Sequence, residues 1–170
     1  INYDSGLSFS GSFSYPTLQL NTCIVKFNQA GDHGGGINYY SVYFSRLIIT
    51  ESDIHYNSAV NEGGGLYAES LGIMSDISNS TFIGNQATGA LGKGGAFFGK
   101  AGPLSPTGKA IENTIFADNQ AFEGGAVYFT GSGWLFNTTF VNNTANTGSA
   151  VFVTSNGSVW LKNSILYSNP

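Results

Sequence analysis

A chain of 170 residues is sized for one domain, and 41% hydrophobic with 14% aromatic residues is ample for a continuous core, which excludes a disordered polymer. Gly, Ser, Asn and Thr account for 74 residues, so strong helix formers are too scarce for a bundle or a coiled coil. Six basic against 10 acidic residues leave a net charge of −4, which argues against nucleic acid and against an anionic membrane surface, since both need clustered cations.

Cys23 is the single cysteine, so stability must come from packing and hydrogen bonds. No apolar run is long enough to span a membrane, and direct membrane insertion is not expected. The start at Ile1 reads as a processed or excised piece of something longer.

In chain order, residues 1–19 form an N-terminal strand or edge segment, rich in Ser and aromatics, able to cover an end or join a neighbour. From residue 20 to 170 two short phrases alternate. The first is an apolar residue followed three places later by Asn, ending at Asn28, Asn57, Asn85, Asn119, Asn143 and Asn169, with spacings of 29, 28, 34, 24 and 26. The second is a Gly-Gly-small corner opening at Gly34, Gly63, Gly94, Gly124 and Gly148. Aligned on the Asn, position −8 is aliphatic throughout (Leu20, Ile49, Ile77, Ile111, Leu135, Leu161), and position −3 is apolar throughout. Position −5 is always small, from Cys23 and Ser52 to Ser164. Inward positions at −8, −5 and −3 break strict two-residue alternation, so one extra residue must turn the chain at −6, where Asn79, Asn113, Asn137 and Asn163 stand.

Such columns arise when repeats lie directly over one another. A repeat of 24 to 34 residues, strand-like and punctuated by Gly and Asn, predicts an all-β, right-handed parallel β-helix of about six coils. The six aligned Asn predict a ladder, because a carboxamide both donates and accepts.

Extra residues between strands, at Thr88 to Lys93 and Gly99 to Gly108, predict loops on one face, where solenoids often bind. The aromatic cluster Tyr39, Tyr40, Tyr43 supplies candidate binding-surface residues for a protein partner or a glycan. Asn142 and Asn156 are candidate glycosylation positions, since each begins an Asn-x-Ser/Thr sequence outside the turn column. His33, Glu62, Lys93, Glu123 and Thr147 precede successive Gly-Gly phrases and read as a solvent-exposed ladder of alternating charge. The final coil stops at Asn169-Pro170 without a polar cap, which predicts stacking against further coils or against copies of the chain, end to end.

The Gly-Gly-Ala-Val-Tyr at 124–128 with the Phe-Val-Asn-Asn at 140–143, and the Gly-Gly-Ala-Phe-Phe at 94–98 with the Phe-Ala-Asp-Asn at 116–119, resemble the repeats of the polymorphic outer-membrane protein (Pmp-like) family of chlamydial autotransporter passenger domains. The resemblance covers most of the chain. It implies an extracellular or cell-surface module that is adhesive or structural. Against a polysaccharide lyase or glycosidase, Asp53, Asp76, Glu112 and Asp118 fall in different columns and Arg46 has no matched carboxylate column. Neither cofactor nor metal nor catalytic residue is expected; a carbohydrate-active enzyme and a self-assembling filament subunit are the alternative readings.

Overall fold

The computed structural model describes residues 7–10, 17–101 and 109–170. It is an all-β parallel solenoid: every strand pairing is parallel, and strands of equal phase in successive repeats are neighbours. Among the described residues six strands form one sheet, three short strands a second and ten a third. Six aligned strands make about five turns of the helix.

Each turn starts with a three-residue strand such as Thr81–Ile83, passes a two-residue strand such as Gln86–Ala87, bends at the glycine corner and returns along the long sheet, as in Leu66–Ser78. Leu7–Ser10 and Thr17–Asn21 both pair with Ile37–Thr50, so the N-terminal segment lies along the long sheet as its first layer.

The three inward columns pack as their spacing predicts. Ile49, Ile54, Phe82, Ile111, Phe116, Leu135 and Phe140 are fully buried, and the Phe82, Phe116 and Phe140 rings stack at 5.1 Å centroid spacing. Such near-parallel stacking adds about 0.5–1.5 kcal/mol per pair to the burial of the rings.

Besides the corner glycine, two residues per turn adopt left-handed backbone angles. At −6 these are Thr22, Glu51, Asn79, Asn113, Asn137 and Asn163, with φ between 48° and 55°. The second set stands immediately before the ladder Asn: Phe27, Tyr56, Gly84, Asp118, Asn142 and Ser168. At the corner, the first glycine also takes positive φ, 63° to 65°. The second has a different reason: a Cβ on Gly95 would lie 2.3 Å from the carbonyl oxygen of Gly125. Ser149 fills the same place in the last repeat, where its hydroxyl donates to the carbonyl of Pro170 and accepts from the Ala145 N–H.

Candidate functional site

The strand that leaves each glycine corner alternates inward and outward. Its first residue, as in Leu66, Phe97 and Val127, enters the core. The next points outward, and in four consecutive repeats it is aromatic: Tyr67, Phe98, Tyr128 and Phe152. The four rings stack on one another with centroids 5.3, 5.2 and 4.9 Å apart and planes within 14° of parallel. Tyr67, Phe98 and Tyr128 are buried despite lying outside the helix, so this spine is a second apolar cluster apart from the main core.

Two rows of charged side chains cover it. His33, Glu62, Lys93 and Glu123 form one row, joined by backbone bridges from turn to turn. Tyr40, Glu69 and Lys100, in register on the long sheet, form the other. One turn thus flanks Tyr67 with two carboxylates, and the next flanks Phe98 with two ammonium groups. Lys100 Nζ lies 2.8 Å from Glu69 Oε1, and Lys93 Nζ 3.7 Å from Glu62 Oε1. Lys93 also sits 5.6 Å from the Tyr128 ring centre, a cation–π distance. His33 stacks on Tyr67 at 4.7 Å, with Nε2 3.3 Å from Asp32 and Nδ1 3.7 Å from Glu62.

The ladder of alternating charge is therefore present, but it is not simply solvated. Only 21% of the Glu62 side chain is exposed, because the aromatic spine occupies the space beneath it.

The Tyr67 hydroxyl donates to Glu69, and burial together with that neighbouring carboxylate pushes the phenol well above its ordinary range. Burial pushes Glu69 up as well, but the hydrogen bonds from Lys100 and Tyr67 outweigh it and hold the carboxyl below its usual value. Glu69 raises Lys100 in turn. A carboxylate held ionised in this way is poorly suited to donate a proton.

The sequence-predicted residues divide into several groups. Asn28, Asn57, Asn85, Asn119, Asn143 and Asn169 form an unbroken ladder: each Nδ2 donates to Oδ1 of the next, at 2.9 to 3.1 Å. Each backbone N–H donates to that same oxygen. The second Nδ2 hydrogen bonds back to a carbonyl of the preceding turn, as from Asn119 to Phe82 at 2.9 Å. A parallel hydroxyl ladder occupies −5: Ser52 Oγ accepts from the Cys23 N–H, Ser80 Oγ from the Ser52 N–H, and Ser164 Oγ from the Thr138 N–H.

The expectation for Tyr39 is corrected. It is completely buried, its hydroxyl donating to the Arg46 carbonyl at 3.1 Å, because it is two residues on from inward-facing Ile37. It is a core residue and offers no binding surface. Tyr40, one residue further, is 45% exposed and stands in the charged row. The side chain of Tyr43 lies outside the described residues, as do Pro103 and Pro106 of the second insertion. Asn142 and Asn156 are both exposed, the first in the left-handed turn and the second in the turn at 155–156. Arg46 does find a carboxylate, Asp76 at 2.9 Å, diagonally across two strands rather than in its own column.

On the outer side of the six-stranded sheet, Thr81 Oγ1 donates to Asp53 at 2.5 Å and accepts from His55 Nε2 at 2.5 Å. The imidazole is then a donor toward the hydroxyl, the reverse of what a nucleophile and its base require. Among the described residues no group of three His, Cys, Asp or Glu is placed to hold a metal ion, and no helix is long and apolar enough to cross a membrane.

The aromatic spine and its partners Glu69 and Lys100 are what the columns did not reveal. The signal was present in the aromatic residue four places after four of the five corner glycines, which reads from sequence as ordinary strand alternation.

No family model, curated protein or solved structure matches the chain.

Proposed function

We propose that the chain is a non-catalytic structural or adhesive β-helix module of a cell-surface or secreted protein. The observation that carries this reading is the continuity of its ladders: the carboxamides bond from Asn28 to Asn169 without a gap, which suits a stiff spacer or display rod. The outer spine supports it too, because Glu69 with Lys100 and Glu62 with Lys93 neutralise one another locally. The Pmp-like resemblance supplies the extracellular setting.

Turnover assays of the purified chain on neutral and acidic polysaccharides test this reading. No product is expected; turnover abolished by Glu62→Gln or Glu69→Gln would replace the module with a carbohydrate-active enzyme. Surface labelling of unpermeabilised source cells, together with analysis of the secreted fraction, tests the location.

The same module is proposed to stack end on against further coils or another copy. Leu161 and Leu166 belong to the inward columns yet are 45% and 51% exposed, whereas Leu135 and Phe140 one turn earlier are fully buried. Ser149 limits the geometry, since a Cβ at that corner position elsewhere meets the carbonyl of the following turn. Sedimentation at high concentration, expected to show association weakened by Leu166→Lys, tests the contact; a strictly monomeric chain contradicts it.

A further inference from the structure

The geometry points to a neutral saccharide site in the groove beside the loop at 88–92, and we propose that it binds one or two uncharged sugar rings. Gly94 stands nine positions after Asn85, against six positions from Asn57 to Gly63 in the preceding turn and five from Asn119 to Gly124 in the following one. The surplus cannot fit the strand path and bulges outward. It is nevertheless well anchored: the Thr88 and Gly89 N–H groups donate to Ala59 and Val60, Gly92 N–H closes a turn onto Gly89, and Gly92 O accepts from Phe122 and Glu123.

Because the next two turns are short, the bulge overhangs them. A groove of about 300 Å³ results, lined among others by Gln86, Thr88, Gln120, Phe122 and Asn146. That volume sits at the lower end of small-ligand sites, roughly 300–1,000 Å³. It shares no residue with the aromatic spine.

The lining selects the ligand class. No charged side chain contributes to it, so an anionic or cationic ligand would be desolvated without a counter-charge. Gln86, Gln120 and Asn146 bring three carboxamides, and none of these side chains forms a hydrogen bond within the described residues. Each can donate twice and accept twice, matching adjacent hydroxyls that themselves donate and accept. Gln86 and Gln120 lie side by side on neighbouring turns, paired through a backbone bridge. The half-buried Phe122 ring supplies apolar surface for the C–H face of a sugar, while Ala87 and Ala121 beneath it are buried.

The experiment is an amide NMR titration of the whole 170-residue chain with cellobiose, maltose, lactose and diacetylchitobiose, and with digalacturonate as the charged comparison. At least one neutral disaccharide is expected to give saturable millimolar shifts at Gln86, Gln120 and Asn146, including their side-chain NH₂ signals. Gln120→Leu, on an exposed side chain, and Phe122→Ala should each weaken binding by about fivefold or more while the spectrum stays dispersed. No saturable shift with any neutral disaccharide, equal response to digalacturonate, shifts centred elsewhere, or binding unchanged in Gln120→Leu would each overturn the proposal.

Discussion

Asn85 and Asn119, thirty-four residues apart in the chain, are joined by two hydrogen bonds to one oxygen: Oδ1 of Asn119 accepts from Nδ2 of Asn85 at 3.1 Å and from its N–H at 2.9 Å. The Asn119 amide nitrogen meanwhile donates to Phe82 O and to Asn143 Oδ1. The same side chain thus acts as acceptor on one side of its turn and donor on the other. Fully buried, it has no water to replace either role.

Asn119→Ala is therefore expected to cost about 1–3 kcal/mol, the penalty of leaving buried backbone groups unpaired. Asn119→Asp should cost more, because it removes both donors and sets a carboxylate against the Phe82 carbonyl and the Asn143 oxygen. Urea unfolding midpoints at neutral pH give the ranking; an Asp variant as stable as wild type would contradict the donor assignment.

Phe116 stacks between Phe82 and Phe140 with no exposure. Its replacement by Ala should cost about 3–5 kcal/mol through lost transfer energy and a residual cavity. Phe98→Ala tests the outer spine: a buried ring predicts a loss of about 2–4 kcal/mol, whereas a solvated one would give almost none. The two can be compared in one denaturation series.

The pair of Glu69 and Lys100 has a pH signature. The folded pKa of Glu69 lies below its ordinary 4.5, so its contribution to stability is complete above that value and is lost as pH falls through the folded pKa. Lys100 is raised above 10.5, so its contribution is complete below 10.5 and is lost as pH rises through its folded value. The difference in Tm between wild type and Glu69→Gln should thus be flat across neutral pH and shrink on acidification below the ordinary Glu range. Lys100 is half exposed, and Lys100→Ala should cost about 0–1 kcal/mol. A difference unchanged in strong acid would show that Glu69 is not titrating in the folded state.

Gly95→Ala isolates the corner. The added methyl would meet backbone carbonyls of Gly125 and Gln120 at 2.3 and 2.4 Å, and neither can rotate away. A loss of about 2–4 kcal/mol is expected from the forced separation of two turns. Gly131→Ala, between strands, serves as the comparison, and equal melting of the two variants would refute the crowding argument.

Columns were legible in the amino-acid order because stacking repeats a chemical requirement at one height after another. Only an apolar residue suits −3, only a small one suits −5, and only Asn satisfies the neighbouring carboxamide and backbone together. That was enough to specify the parallel β-helix, its ladder and its inward faces. The left-handed turn before each ladder Asn escaped notice, since Phe27, Tyr56, Gly84, Asp118, Asn142 and Ser168 share no chemistry. There the hydrogen bonds on either side impose the angle on whichever residue occurs.

The outer face depended on distances between turns. Alternation places Tyr67, Phe98 and Tyr128 outside, and no linear pattern shows that stacking rings and paired charges then bury them. Tyr39 shows the converse: an aromatic cluster in the sequence looks like a surface, and the phase of one strand puts this ring in the core. The groove likewise required three dimensions. Three surplus residues in one turn were visible as an insertion, but its shape follows from the shortness of the turns it overhangs.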